Sequence, residues 1–447
     1  MNVIINMYSQ KTKKHYTEVI KMNKDMLKKA LTDADVQKKL STLYGEFAAE
    51  RADRIIALAE TFGEMYGADR DISVYSVPGR SELSGNHTDH NHGRVIAGSI
   101  DLDIIAVASP RNDGIIRIKS AGFPEDVVDI SLYKEPNEKK FGSSESLIAG
   151  MCAGFAAKGF KIGGFDACTT SNVLKGSGLS SSAAFEDMVG NILNHLYNDG
   201  NVDNVEIAKL AQFAENKFFG KPCGLMDQVA CAAGGIVSID FCDPTAPVIE
   251  KLDFDITAAG YRLCIVDTGG NHADLTPDYA AVPAEMKAVA AHMGKTVLRE
   301  VDENAVLCEI KTLREKFGDR AVLRALHFFA ENRRVKEQSD ALRAGELSKY
   351  FEGVLASGKS SFCYLQNVYT TVNVAEQGLS LALNLAERYL SDKGGAWRVH
   401  GGGFAGTIQA YVPAADVDGF CALMNGVFGE GACIPLRIRP LGAIRII

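Results

Sequence analysis

Apolar residues recur along this chain with two periods, and their arrangement predicts a mixture of helices and strands. Spacings of three and four residues predict helices over 40–65, 147–157 and 183–196, and a charged helical zone follows over 285–355. Short apolar runs that are typical of strands occur at 104–108, 115–118, 236–241, 261–266, 407–412 and 444–447. Because strands and helices mix without a steady βα repeat, the pattern predicts an α+β fold.

The length of the chain predicts more than one domain. A chain of 447 residues with 46% hydrophobic content exceeds the size at which a single core stops growing. We expect an appended, lysine-rich segment over residues 1–30, a first domain over 31–245 and a second domain over 246–447.

Charge and cysteine usage narrow the class of protein. The net charge is −8 and the chain has no clustered basic stripe, so we expect no nucleic-acid partner. No apolar run approaches the roughly eighteen residues of a membrane span, so we expect no membrane partner. Ten cysteines without CxxC pairs or zinc spacing favour reduced thiols. The chain is therefore predicted to be cytoplasmic, while its oligomeric state is left open.

A run of glycines and serines over 174–184 directly precedes the predicted helix over 183–196. It reads Leu-Lys-Gly-Ser-Gly-Leu-Ser-Ser-Ser-Ala-Ala. Free N–H groups and the dipole at a helix N-terminus favour an anion, and glycine allows the backbone to approach a phosphate closely. Serine hydroxyls can bind phosphate oxygens or a phosphate-bound Mg²⁺. The run predicts a phosphate cradle, with an ordinary N-capped helix as the alternative.

Three better-known motifs are disfavoured. The run over 174–184 lacks the Gly-Lys-Ser/Thr of a P-loop, and Ser181 stands where a dinucleotide fingerprint has its third glycine. P-loop spacing does occur over 353–360, but it follows a charged helical zone rather than a strand, so we interpret it as coincidence. The glycines over 400–403 imitate an esterase oxyanion loop, yet no Gly-x-Ser-x-Gly elbow accompanies them.

Further segments carry a family resemblance. Residues 79–91, Gly-Arg-Ser-Glu-Leu-Ser-Gly-Asn-His-Thr-Asp-His-Asn, resemble the galactokinase signature. Residues 399–406 resemble the third glycine-rich motif of the GHMP small-molecule kinases, and 223–228, Cys-Gly-Leu-Met-Asp-Gln, look like the segment with their catalytic aspartate. With the cradle, these motifs occur in the family's order, and the resemblance covers roughly residues 50 to 447.

The resemblance implies a two-domain GHMP-kinase-like fold with the active site in the cleft between the domains. It implies a kinase that uses ATP and Mg²⁺ to phosphorylate the anomeric hydroxyl of a sugar, galactose first. Arg80 would lie beside the transferred phosphoryl group, where its fixed positive charge suits the transition state. Asp227 would remove the proton of the hydroxyl or orient that hydroxyl, and the sequence does not decide between these roles.

The resemblance also assigns binding residues by position. The ATP cradle maps to Gly176, Ser177, Gly178, Leu179, Ser180, Ser181 and Ser182. The Mg²⁺ ligands would be Ser182 and Glu215. The sugar contacts would be Asn86, His87, Thr88, Asp89, Gly224 and Tyr279. Taken without the resemblance, His87, Asp89, His90 and His92 could instead hold zinc.

One departure from the galactokinase pattern bears on the substrate. Asn86 stands where the family has a glutamate, and an amide would tolerate a substrate that carries its own carboxylate. We therefore expect position 86 to set which C6 group is accepted. Galacturonate or another modified hexose is the alternative substrate, and a non-catalytic sugar sensor is the alternative class. The presence of Arg80, Ser182, Glu215 and Asp227 argues against the sensor.

Overall fold

The computed structural model describes residues 24–132, 135–173, 178–221, 223–270, 275–404 and 406–447. Its helices are α1 Lys24–Ala30, α2 Ala34–Tyr44, α3 Ala48–Tyr66, α4 Ser144–Ala157, α5 Ser181–Tyr197, α6 Asn204–Ala214, α7 Met226–Ala233, α8 Thr276–His292, α9 Glu303–Cys308, α10 Ile310–Phe317, α11 Asp319–Arg343, α12 Leu347–Ser360, α13 Gly378–Leu390 and α14 Val417–Phe428. Its strands are β1 Ser73–Ser84, β2 Arg94–Pro110, β3 Ile115–Ser120, β4 Glu125–Asp129, β5 Phe165–Ser171, β6 Ile236–Asp240, β7 Val248–Leu252, β8 Tyr261–Asp267, β9 Ala396–Val399, β10 Thr407–Pro413, β11 Cys433–Leu436 and β12 Ile444–Arg445.

Two sheets organise these elements. The larger sheet runs β12-β1-β2-β5-β3-β4, with β6 also paired to β2 and β7 to β6, and only the β3–β5 pair is parallel. The smaller sheet runs β11-β8-β10-β9 and is antiparallel. Mixed, mainly antiparallel sheets covered by helices confirm the predicted α+β class.

The structure adds detail to the predicted domains. Strands β7 and β12 follow residue 245 in sequence, yet both extend the larger sheet. The division at 245/246 therefore stays a prediction. Of the segment predicted to be appended, residues 1–23 lie outside the described part of the chain. The remainder includes α1, whose Leu27 is 0% exposed and packs in the core formed by α2 and α3.

The structure shows where the P-loop-like spacing lies, and it brings together three cysteines that the sequence did not connect. The P-loop-like residues 353–360 lie inside α12, so they form no phosphate-binding loop. The sulfur atoms of three cysteines that are distant in sequence, Cys264, Cys421 and Cys433, lie within 4.8 Å of one another.

Among the described helices, none is long and apolar enough to cross a bilayer.

A buried carboxylate joins the N-terminal helices to the end of the chain. Asp103 on β2 accepts hydrogen bonds from Tyr44 Oη at 2.6 Å, Arg54 Nη1 at 2.7 Å, Arg439 Nη1 at 3.3 Å and the Ser76 hydroxyl. Burial opposes ionisation, but the charges of Arg54 and Arg439 outweigh it and hold the pKa of Asp103 below its ordinary value.

We predict that Asp103→Ala lowers the free energy of unfolding by roughly 3–5 kcal/mol, because it leaves the fully buried Arg439 and the partly buried Arg54 without their counter-charge. Equilibrium urea unfolding measures the change. The control is Asp392→Ala, which removes an exposed carboxylate 3.9 Å from Lys393 and should leave the transition near that of the wild type. Equal transitions for both variants would contradict the assigned network.

Candidate active site

The predicted catalytic residues meet in one cavity of about 240 Å³. Its walls come from the end of β1, the turn after it, the segment before α7 and the loop after β9. The lining residues are Arg80, Glu82, His87, Asp89, His90, Lys221, Cys223, Gly224, Met226, Asp227, Gly401 and Gly402. A larger cavity of about 620 Å³ beside Thr268 and Phe404 contains neither Arg80 nor Asp227. We therefore identify the candidate site by the reactive side chains that line the cavity rather than by the cavity volume.

Arg80 and Asp227 form an ion pair at this cavity. Arg80 Nε and Nη2 lie 2.8 and 2.7 Å from Asp227 Oδ1, and Ser180 Oγ donates to Oδ2 at 2.5 Å. Burial disfavours the charged carboxylate, but the Arg80 charge and the Ser180 hydrogen bond outweigh it and lower the pKa of Asp227. The side chain of Asp227 keeps 34% of its surface exposed. An ionised and accessible carboxylate is thus available to a bound hydroxyl.

Hydrogen bonds join the described part of the predicted cradle, residues 178–184, to Arg80 on β1. Arg80 N donates to Leu179 O at 3.1 Å, and Arg80 Nη1 donates to Gly178 O. The backbone of Ser180 is left-handed, with φ +58°, and its hydroxyl makes no N-cap bond to α5. That hydroxyl therefore bonds Asp227 instead, although the sequence assigned Ser180 to ATP. Gly176 and Ser177 lie outside the described residues.

Ser181 and Ser182 begin α5, so their backbone N–H groups belong to its first turn. One turn further on, Glu186 faces Glu215, the other predicted Mg²⁺ ligand, across Gln228. Gln228 Nε2 lies 2.8 Å from Glu215 Oε2 and 3.3 Å from Glu186 Oε2.

Glu186 and Glu215 bring two acidic side chains close together, since both accept from the same amide nitrogen of Gln228. Burial and the neighbouring Glu215 carboxylate raise the pKa of Glu186 well above its ordinary value. Within the described part of the chain, its buried Oε1 has no hydrogen-bond partner. Lys221 Nζ compensates part of this charge at 2.9 Å from Glu215 Oε1. A further cation would find oxygen ligands here.

The turn after β1 presents His87 and Asp89 to the cavity. His87 has φ +59°, and its Nε2 lies 2.9 Å from Gly402 O. Because that carbonyl can only accept, Nε2 carries the proton. Burial lowers the pKa of His87 to about 4, so the ring is neutral near pH 7 and Nδ1 can accept. Gly224 lies so close that a Cβ there would meet Asp89 Oδ2 at 2.6 Å.

Three of the assigned sugar residues lie behind the cavity wall. Thr88 Oγ1 donates to Gly85 O at 2.9 Å and closes the turn. Tyr279 Oη donates to Gly403 O at 2.6 Å, so the ring supports the glycine loop. Asn86 is 0% exposed and bonded on all sides within the protein. The three sugar-binding roles stay predictions.

A zinc site in the signature finds no geometric support. Among the described residues, the group of histidine, cysteine or acidic side chains with converging ligand atoms is Cys264, Cys421 and Cys433. His87 and Asp89 instead face the cavity that contains Asp227.

Several residues of the site escaped the sequence analysis. Four residues contact the assigned groups although the sequence analysis assigned them no role: Glu82 and Gln228, which lie within the quoted motifs, and Glu186 and Lys221, which lie outside them. Alternation along β1 could have pointed to Glu82, since it lies two residues from Arg80 and shares its face. Helical spacing could have pointed to Glu186, four residues after Ser182.

The fold and this phosphate-cradle geometry define a small-molecule kinase of the GHMP class. The family model described as GHMP kinases N terminal domain matches residues 146–235, and the galactokinase galactose-binding signature matches 60–110. The chain is 32% identical to a galactokinase of Streptomyces coelicolor over 389 residues, which are 85% of this chain and 95% of that protein.

Solved structures agree. A Lactococcus lactis galactokinase complexed with galactose has a TM-score of 0.74 at 25% identity, covering 88% of this chain and 100% of that one. Methanococcus jannaschii mevalonate kinase shares the fold alone, with a TM-score of 0.59 at 15% identity over 82% of this chain and 98% of that one. This chain belongs to the galactokinase family, which confirms the resemblance found in its motifs.

We predict that Ser180→Ala shifts the acidic limb of the kcat/KM pH profile to higher pH. Without the Ser180 hydroxyl the pKa of Asp227 rises, so the base is protonated sooner as the pH falls. At neutral pH, where the carboxylate stays ionised in both proteins, kcat/KM should change much less than on the acidic limb. An unchanged profile would contradict the role assigned to this contact.

Proposed function

We propose that this chain transfers the γ-phosphoryl group of ATP to the anomeric hydroxyl of galactose, giving galactose 1-phosphate and ADP. The observation that carries the proposal is the ionised Asp227, held by Arg80 and Ser180 in a cavity that His87 and Asp89 also line. The galactokinase relatives support galactose as the acceptor.

Each side chain has a defined task in this reaction. Asp227 accepts the proton of the attacking hydroxyl or holds that hydroxyl in line, and its low pKa keeps it ready at neutral pH. Arg80 keeps Asp227 ionised and offers charge to the transferred group. His87, Asp89 and Gly224 form the wall for the sugar.

Residues at the start of α5 would bind the nucleotide. Ser181 and Ser182 lie at a helix N-terminus, where free N–H groups and the dipole favour phosphate. The remainder of the cradle, Gly176 to Ser180, precedes it in the chain. Thr88 and Tyr279 support the sugar side by fixing the turn and the glycine loop.

The acidic residues behind the cradle fit Mg²⁺. Glu186 Oε1 is buried without a partner, and Glu186 shares Gln228 with Glu215. Oxygen ligands of this kind suit a hard cation, and a bound Mg²⁺ would neutralise phosphate charge. Ser182 and Glu215 would hold it, with Glu186 close by.

The charges of the site disfavour the two alternatives. The cavity is lined by three carboxylates, Glu82, Asp89 and Asp227, and by two cations that already pair with acidic groups, Arg80 with Asp227 and Lys221 with Glu215. A uronate would therefore add a negative charge to a cavity whose cations are engaged. A non-catalytic sensor would not require a carboxylate tuned by an arginine at the sugar cavity. We place the reaction in the cytoplasm, where ATP is available and ten free cysteines stay reduced.

Asp227→Asn should reduce kcat by two or more orders of magnitude, the rough range of general acid–base contributions, while ATP binding stays near wild type. Coupled ADP-release kinetics and calorimetric ATP titration measure the two effects. Asp253→Asn, at an exposed position, is the matched control. A kcat close to wild type in Asp227→Asn would remove Asp227 from the mechanism.

Ser182→Ala and Glu215→Gln should each raise the Mg²⁺ concentration needed for half-maximal activity several-fold, with less change in the KM for galactose. Ser182→Ala deletes an oxygen ligand, and Glu215→Gln removes a negative charge and replaces one carboxylate oxygen with NH2, so each change weakens a site for a hard cation. Mg²⁺ titration at saturating ATP and galactose tests this, with the exposed Ser391→Ala as control. The assignment fails if both variants keep the wild-type Mg²⁺ dependence.

A further inference from the structure

We propose that Glu82 supplies the carboxylate that binds a hydroxyl of the sugar, and that Asn86 is a positioning residue that holds Glu82. The inference deepens the proposed function and rests on it, because it concerns the sugar side of the same cavity. It begins from the asparagine at position 86, where the galactokinase signature has a glutamate.

The side chain of Asn86 has no hydrogen-bonding capacity left for a ligand. Its Nδ2 donates to Gly401 O at 2.6 Å and to Glu82 Oε1 at 3.1 Å. Its Oδ1 accepts from Asn367 Nδ2 at 2.8 Å and from Ser361 Oγ at 3.1 Å. A carboxamide has two N–H donors and two lone pairs on oxygen, so every position is used. Asn86 therefore acts on the sugar only through its neighbours.

Glu82, unlike Asn86, retains capacity to accept a further hydrogen bond. Its Oε1 accepts from Arg398 Nη2 at 2.6 Å and from Asn86 Nδ2, whereas no donor within the described part of the chain reaches Oε2. The side chain is 7% exposed, and the residue lines the cavity. An enclosed carboxylate oxygen without a donor is costly, and a sugar hydroxyl is a donor of the right kind.

The geometry of β1 places Glu82 beside the reacting groups. Arg80 pairs with Ser99 and Glu82 with Ala97 in a regular stretch of the β1–β2 ladder. Residues two apart in a strand project from the same face, so both side chains face the cavity. Because Arg80 contacts Asp227, a sugar whose anomeric hydroxyl meets Asp227 lies within the same cavity as Glu82.

The carboxylate of the family signature has thus changed position rather than disappeared. A glutamate at position 86 would bury a second negative charge beside Glu82, 3.1 Å from the present amide. The sequence led us to expect that position 86 itself sets which C6 group of the sugar is accepted. The contacts reverse that expectation, and they make Glu82 the residue that selects against a negatively charged sugar.

Kinetics of Glu82→Gln and Glu82→Asp test the role of Glu82. We expect the KM for galactose to rise at least about tenfold, while the KM for ATP stays within about twofold. Glu82→Asp keeps a charge beside Arg398, so it remains informative if thermal unfolding shows that Glu82→Gln is misfolded. Glu352→Gln, at an exposed site on α12, is the matched control.

Singly deoxygenated galactoses separate contact from structural support. For the sugar that lacks the contacted hydroxyl, wild type should lose about tenfold or more in kcat/KM, whereas a Glu82 variant should lose little further. If Glu82 only pairs with Arg398 to support the fold, its variants will lose the same factor with every sugar. That result would overturn the proposal.

Exchange of the two side chains tests their partnership. Asn86→Glu alone should lose about a hundredfold or more in kcat/KM for galactose, through repulsion from Glu82. Combining it with Glu82→Asn restores one carboxylate and one amide, and should recover about tenfold. Wild-type activity in Asn86→Glu alone would overturn the inference.

The wild-type enzyme, measured in the same assay, tests the proposed function separately. Galactose phosphorylation by wild type together with unaffected Glu82 variants overturns only the role of Glu82. An absence of galactose phosphorylation by wild type overturns both.

Discussion

The ion pair between Arg80 and Asp227 is the interaction on which the rest of the site depends. It joins β1 to the first turn of α7, and the same guanidinium reaches back to Gly178 in the cradle. One cation therefore contacts the Asp227 carboxylate and the described end of the glycine and serine run, while its own backbone belongs to the strand that begins the signature. A pair left partly open to the cavity also keeps Asp227 ionised without sealing it from a ligand.

Residues from the second half of the chain hold the turn after β1 and the side chain of Glu82 in place. Glu331 on α11 accepts from Gly85 N at 3.2 Å and Asn86 N at 3.4 Å, and His327 Nε2 lies 3.0 Å from Asn86 O. Arg398, from β9, neutralises Glu82. Buried polar groups are stable only when they are paired, so these contacts hold the signature turn in one conformation. Precise positioning of this kind is what phosphoryl transfer demands of a protein.

The site also concentrates negative charge that the protein only partly balances. Glu186 and Glu215 both accept from Gln228, and Lys221 forms an ion pair with Glu215. Such an arrangement is costly for the isolated protein and favourable once a cation is present. Glu82 also lines the cavity, and the hydrogen bonds that it accepts from Arg398 and Asn86 both reach Oε1. Unpaired groups mark the positions where ligands are expected.

The sequence by itself predicted the fold class, because the periodicity of apolar residues is a local property of a chain. The resemblance of its motifs to those of galactokinases singled out Arg80 and Asp227, whose side chains the fold brings together. The sequence could not place β12 beside β1, nor show that Asn86 is enclosed while Glu82 faces the cavity. Those facts depend on residues that are hundreds of positions apart in the chain, such as Arg398 against Glu82. A side chain can bind a ligand only through donors and acceptors that other residues of the protein do not already use. The tertiary structure decides which these are, because the partners are distant in sequence.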